Sequence, residues 1–390
     1  MNLLRTILAV TLSVVSAGLA VAQESKARDD LPPAPEGKTW KLVWHDEFEG
    51  TPGLTVKAVE VLPPATDGKT RILGWQERNL DTSKWDVPEY KRQGGYWSRK
   101  AISLDGKGHL AISTLKEGDK FIDGCVRTKG KFEHTFGYYV ARIQLQKQPG
   151  HWTAFWLYNV SVGKDGNDGR QGTEIDIYEK PWLDDRVQQT LHWGGYGKHH
   201  KSSGNVAKVP GLMEGWHTFG LWWKPDEYVF YVDGKETWRT KAGGVCQVPL
   251  YVKLSDEIGP WGGDIKKAKL PDQFLVDYVR VYDLVEMADA IDTAKKQIAL
   301  FKTALELYQL DVGSLPTTTQ GLEALRRPPT NLPNPAKWAG PYLENDVPLD
   351  PWGNPYQYGC PGKHNPGSFD VWSCGPGGKH ETKDLIGNWR

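Results

Sequence analysis

Two patterns of residue spacing meet near Asp283. From Trp40 onward the 390-residue chain runs as short β-prone stretches cut by Gly, Pro, Asp and Asn, the pattern of an all-β sandwich or barrel. Lys41–Trp44, Leu110–Ser113, Tyr138–Leu145, Thr218–Trp223, Tyr228–Val232 and Phe274–Tyr282 are such stretches. Asp233-Gly234 supplies a hairpin turn signal. Beyond Asp283 the spacing changes: Ile291, Ala294, Ile298, Phe301, Leu305 and Tyr308 recur every three or four positions. That spacing predicts an amphipathic helix over Met287–Leu310, stopped by Gly313 and Pro316. A short helical piece at Thr319–Arg326, a Pro-rich loop to Pro335 and a hairpin-like end with Gln357-Tyr358 and Phe369–Trp372 complete a small α+β unit.

The expected organisation is residues 1–22 as a signal peptide, 23–37 as a linker, 38–285 as the β domain and 286–390 as the α+β domain. Arg5, the apolar run Ile7–Val15 and Ala20-Val21-Ala22 before Gln23 read as a cleavable secretory signal. The apolar run is too short to favour a membrane span. The chain is therefore expected to be secreted or periplasmic. Gly50–Gly74 reads as a long loop. The formal net charge is zero, so electrostatics give no case for nucleic acid or an anionic membrane as partner. Eighteen Trp, 43 Gly and 26 Pro point to a loop-rich β protein with many flat rings, which serve core packing or stack on sugar faces. Four cysteines, Cys125, Cys246, Cys360 and Cys374, suit one disulfide per domain in an oxidising compartment. Their spacing resembles no zinc site.

The segment Glu174-Ile175-Asp176-Ile177-Tyr178-Glu179 carries the strongest chemical signal. Ile and Tyr favour a strand, and residues two apart share a face, so Glu174 and Asp176 point the same way. Glu179, five positions from Glu174, would face away. One extra residue, a β-bulge around Ile177-Tyr178, returns it to the same side. The glutamate Cα atoms then lie about 13 Å apart, and their side chains bring the carboxyl groups to about 5 Å, the separation of a retaining glycosidase pair. A solvated acidic face or a hard-cation site is the competing reading. Like charges on one face are destabilising, however, and the first basic residue is Lys180, past the run. A Ca²⁺ or Mg²⁺ site would recruit loop carbonyls as well. His151–Leu157 upstream and Gln189–Trp193 downstream are β-prone, so Trp152, Trp156, His192 and Trp193 are candidates to border the acids and bind substrate.

With Trp44–Phe48, Leu80–Trp85, Thr128–Phe132, Gly137, Ala141–Ile143 and the closing Asp277–Tyr282, this region resembles glycoside hydrolase family 16, the laminarinase, lichenase, agarase and carrageenase family. The resemblance implies a concanavalin-like jelly-roll sandwich. By position Glu174 matches the nucleophile, Asp176 the assisting acid and Glu179 the general acid/base. The bulged form of the motif favours an endo-acting β-1,3-glucanase, with agar or carrageenan galactans as the rival substrates; a silent glycan-binding protein and a secretion-apparatus component are the non-catalytic alternatives. Sulfated galactans would need groove cations, which the run Lys198-His199-His200-Lys201 could supply. No cofactor is expected. Some family members carry a structural Ca²⁺, and Glu47 and Asp277 lie in the matching terminal regions.

The C-terminal text resembles the globular domain of a type II secretion major pseudopilin. The match runs through Lys295–Leu305, Tyr308–Gly313, Pro316–Leu322, Gly340–Leu343, Asp350–Tyr356 and Ile386–Trp389. It implies the type II secretion machinery as a partner. No apolar stem helix precedes this helix, so assembly as an ordinary pilus subunit is not expected. Of the family's calcium loop only Asp384 and Glu381 remain, and a Cys360–Cys374 bridge is expected to take over the stapling.

Overall fold

The computed structural model describes residues 31–49, 80–379 and 384–389. The signal peptide, most of the linker, the Gly50–Gly74 loop and Glu381 lie outside the described residues. The described residues form two compact units: one holds those from 31 to Thr293 together with Pro351–Gly353, the other Ala294–Asp350 and those from Asn354 onward.

Alternation of apolar and polar side chains builds the first unit. Each long strand turns one face to a shared interior, and burial of those side chains drives two sheets together. Among the described residues the sheets have eleven and seven strands. The interior is filled from both: Ile112, Tyr139, Phe219 and Val279 from the larger, Phe155, Ile175, Leu191 and Val252 from the smaller. In the larger sheet the strand Asp272–Glu286 pairs with Lys38–Asp46, Leu110–Glu117 and Gly137–Gln144. The smaller sheet runs in the order Lys201–Lys208, Arg186–Trp193, Glu174–Lys180, His151–Tyr158, Leu250–Ile258 and Cys125–Arg127. This is the jelly-roll sandwich expected from the sequence. The strands Lys201–Lys208 and Leu250–Ile258 were not legible beforehand: the first has little apolar alternation, and the second is buried on both faces.

In the second unit the helix Met287–Val312 buries Ala294, Ile298, Phe301, Ala304, Leu305 and Tyr308, the stripe its periodicity required. Phe301 meets the ring of Tyr356 edge-on, and Tyr308 meets Tyr342. The strands Gln357–Gly359, Asp370–Ser373 and Ile386–Gly387 form a small antiparallel sheet. Among the described residues no helix is long and apolar enough to cross a membrane.

None of the four cysteines is in a disulfide, against the expected bridges. Register explains the second pair. Gln357 opposes Trp372 and Gly359 opposes Asp370, so Cys360 and Cys374 fall at opposite ends of one hairpin. In the first pair, Cys125 packs with Trp97 and Trp156 on the outer face of the smaller sheet, whereas Cys246 is buried in the sandwich interior.

Candidate active site

The strand Glu174–Lys180 carries the expected extra residue. Against its neighbour, Asp176 opposes Thr190 but Glu179 opposes Gln188, so three steps on one strand match two on the other. On the other side Phe155 opposes Tyr178 and Trp156 opposes Asp176, leaving Ile177 unpaired. The cause is packing. Ile177 and Tyr178 are consecutive, yet both are fully buried in the interior. Tyr178 stacks on Phe219 at 4.3 Å and donates its hydroxyl to Thr153 Oγ1 at 2.9 Å. Two adjacent side chains anchored inward, each contributing about 1.5–3 kcal/mol of burial, cost the strand one beat of alternation. Glu174, Asp176 and Glu179 therefore share the outer face.

Neighbouring strands complete that face. Trp156 sits beside Asp176, and Lys253 beside Trp156. The Lys253 ammonium lies 3.4 Å from the Trp156 ring centroid and 5.0 Å from that of Trp97. Glu257, two positions beyond Ser255, takes Arg92 Nε at 2.9 Å. At the Glu174 end, the Tyr196 hydroxyl donates to Glu174 Oε2 at 2.5 Å. Tyr196 reaches it because Gly194 and Gly195 both adopt positive φ, and a Cβ at Gly194 would meet the His199 carbonyl oxygen at 2.3 Å. At the other end, the Thr190 hydroxyl donates to Glu179 Oε2 at 3.3 Å.

Charge is poorly compensated here. Burial raises Glu174 above the ordinary glutamate value, while the Tyr196 hydrogen bond and the charges of Lys253 and Arg92 oppose the rise. Burial, then the charges of Glu179 and Glu174, push Asp176 well above its usual range. Glu179 is pushed up to about 8 by burial and by the charge of Glu174. Burial lowers Lys253 to about 8, and burial with the His200 charge lowers His192 to about 4. The site holds a carboxylic acid able to keep its proton near neutrality beside a glutamate whose ionised form receives a hydroxyl and two cations.

The sequence candidates separate into two groups. Trp152, Trp156 and His192 join the acids on one face: Trp152 opposes Glu257, and His192 opposes Glu174. Trp152 also contacts Trp261, which meets Trp182, each pair at 5.7 Å. Trp156 is buried, its Nε1 donating to Ser255 Oγ at 3.0 Å. Trp193 does not border the acids. It follows His192 directly, so alternation turns its ring to the other face, against the sandwich interior. Tyr158, Tyr196, Lys253, Glu257 and Arg92 were missed by sequence reasoning. Lys253 and Glu257 had a signal in the period-two series Tyr251, Lys253, Ser255, Glu257; Tyr196 and Arg92 had none. Of the run Lys198–Lys201, His200 reaches the site, stacked on His192. Glu47 and Asp277, named for a structural Ca²⁺, each accept from an arginine: Arg280 donates to both Glu47 oxygens at 2.8 Å, and Arg142 to Asp277 at 2.6 Å.

Comparison with known proteins agrees with this geometry. Residues 90–280 match the family described as glycosyl hydrolases family 16, and residues 280–389 match type II secretion system protein G. The chain joins a family 16 glycosyl hydrolase domain to a protein G domain. Membership makes it a glycoside hydrolase by class. The glycosyl hydrolase region is 26% identical over 273 residues to a beta-glucanase of Rhodothermus marinus, covering 63% of this chain and 86% of that protein. A solved endo-beta-1,3-glucanase from Pyrococcus furiosus superposes with a TM-score of 0.50 at 25% identity, covering 66% of this chain and all of that one. The protein G region is 44% identical over 102 residues to the type II secretion system core protein G of Pseudomonas aeruginosa, covering 25% of this chain and 70% of that protein. Across three such relatives the match spans 61 to 70% of their length.

Proposed function

We propose that this family 16 protein is an exported retaining hydrolase of β-linked polysaccharide, acting by double displacement, with endo-β-1,3-glucan as its preferred substrate. The observation that carries the reading is the unpaired Ile177, which turns Glu179 onto the face of Glu174. Glu174 is the nucleophile. Its ionised form is favoured by the Tyr196 hydroxyl and the charges of Lys253 and Arg92. Glu179 is the general acid, holding its proton near neutrality and giving it to the leaving oxygen. Part of that hold is the charge of Glu174 itself. Once Glu174 is esterified to the sugar its charge is gone, so Glu179 becomes more acidic and ready to act as base on the incoming water. Asp176, between them, shares a proton with its neighbours and steadies the change of charge at Glu174.

The rings on either side of the acids give sugars two platforms: Trp152, Trp182 and Trp261 towards Glu179, Tyr158 and Tyr196 towards Glu174. The printed activities of a beta-glucanase and an endo-beta-1,3-glucanase support a β-glucan, while a keratan-sulfate endo-1,4-beta-galactosidase, also 26% identical, keeps a galactan as the rival. The protein G domain supports the type II secretion machinery as partner and a periplasmic or extracellular location. A reducing-sugar screen of the purified full chain on laminarin, lichenan, agarose and carrageenan tests this. Turnover of laminarin with retained anomeric configuration is expected. Turnover confined to agarose or carrageenan would replace the glucan, and an inverted product would remove the double displacement.

A further inference from the structure

His192 stands opposite Glu174 on the adjoining strand, and ligand atoms of Glu174, Asp176 and His192 all lie within 4.8 Å of one another. Asp176 is only 4% exposed, and its Oδ2 has no hydrogen-bond partner. That oxygen faces His192 Nε2 at 3.5 Å. The other ring nitrogen of His192, Nδ1, is paired with His200 Nε2 at 2.9 Å, the two rings stacked. When His192 Nδ1 donates to His200, Nε2 is left with a bare lone pair turned towards a carboxylate oxygen that also lacks a donor. In that tautomer, and with Asp176 ionised, a nitrogen lone pair and a carboxylate oxygen face each other, and Glu179 and Glu257 add negative charge from beyond. A cation set between them converts this repulsion into attraction.

We infer that Glu174, Asp176 and His192 form a site for a borderline transition-metal dication, Zn²⁺ fitting it best, and that the bound ion blocks the nucleophile. The blocking rests on the hydrolase reading above; the binding does not. One imidazole nitrogen and two carboxylates make a three-ligand set of the kind that leaves Zn²⁺ an open fourth position. Ca²⁺ and Mg²⁺ prefer all-oxygen shells of six or more and fit poorly. The outer contacts are those a metal ligand uses: His200 holds the second nitrogen of His192, and the Tyr196 hydroxyl orients Glu174. With its carboxylate on the ion, Glu174 has no free oxygen pair aimed at a sugar. Zn²⁺ therefore acts as a reversible inhibitor competing with glycan.

The test is a Co²⁺ titration of the full chain followed by visible absorption. One ion per chain with the strong bands of four-coordinate Co²⁺, bleached by added Zn²⁺, is the expected result. Asp176→Asn and His192→Gln should each weaken binding by at least about tenfold, since even outer-contact losses cost that much at metal sites. Glu179→Gln should keep the spectrum. No such bands, or bands surviving both Asp176→Asn and His192→Gln at unchanged affinity, would overturn the site. Should Asp176→Asn fail to fold, His192→Gln carries the comparison. In a parallel laminarin assay Zn²⁺ should raise the apparent KM, and EDTA should restore it. Co²⁺ binding as expected in a chain that hydrolyses no glycan would leave the metal site standing and remove the hydrolase reading.

Discussion

On one side of the strand Leu250–Ile258, Lys253 and Glu257 stand beside the three acids; on the other, Asp256 joins an interior cluster with His151, Thr114 and Asp272. Both groups are buried, and they handle charge in opposite ways. In the interior, His151 Nδ1 meets Asp256 Oδ2 at 2.8 Å and Nε2 meets Asp272 Oδ2 at 3.2 Å. Thr114 donates its hydroxyl to the same Asp256 oxygen, and the backbone amides of Lys147 and Gln148 donate to Asp272. Burial alone would lower His151, but the two carboxylates overcome it and hold the ring at about 10. One buried oxygen without a hydrogen bond occurs in each group, Asp256 Oδ1 and Asp176 Oδ2, but on the outer face three acids are all raised, each by burial and by the charge of other carboxylates. Burial spent on matched charges ties the two sheets together. Burial spent on unmatched ones leaves groups whose protons are ready to move.

The contrast breaks most clearly if the outer acids prove dispensable. Glu174→Gln and Glu179→Gln should each lower kcat on laminarin by about 10³-fold or more, with a native circular dichroism spectrum; retention within about tenfold would make the outer face merely acidic. The interior should behave the other way. Asp256→Asn leaves His151 short of a charge partner and should cost about 3–5 kcal/mol in urea unfolding, while kcat of the folded protein stays close to the parent's.

The pH dependence sharpens the comparison. Glu179 must hold a proton, so activity should fall as pH rises through about 8. It should also fall on the acid side, where Glu174 gains a proton, at a pH above the ordinary glutamate value because its pKa is raised. For stability the sign follows from linkage. The folded state binds the Glu179 proton more tightly than the unfolded chain, so that stabilisation is full below the unfolded value of 4.5 and is lost as pH rises through about 8. Glu179→Gln, neutral throughout, should therefore unfold at a higher temperature than the parent above pH 8 and show no such gain at pH 5. The smallest expected effect is at Lys253. Removing its charge as Lys253→Met should move the acid limb of kcat/KM upward, by about one pH unit or less, because Glu174 loses a cation that favours its ionised form.

The acids were legible because their spacing is awkward: two carboxylates five apart cannot share a face of a plain strand, so the spacing itself announces a bulge. The same rule of alternation was available for His192 and Trp193, and only one of two adjacent residues can face the acids. Lys253 and Glu257 lie some eighty positions downstream on a strand buried along its whole length; the series Tyr251, Lys253, Ser255, Glu257 marked a polar face, but nothing local said that this face would adjoin the acids. Tyr196 depends on a double-glycine turn folding back over the site, and no local pattern encodes where such a turn will lead. The cysteines misled because an even count and a split between domains say nothing about register.

Ile177 and Tyr178 lie between the acids as a pair of moorings in the apolar interior. A shorter stretch with one residue fewer, Glu-x-Asp-x-Glu, would hold its acids on one side by alternation alone, so the added residue is not what makes a common face attainable. What it adds is a second mooring. The reactive groups are thereby tied to the hydrophobic centre at two successive points, and any loosening of that centre reaches them at once. Heat or denaturant should then silence the protein in step with its melting rather than well before it.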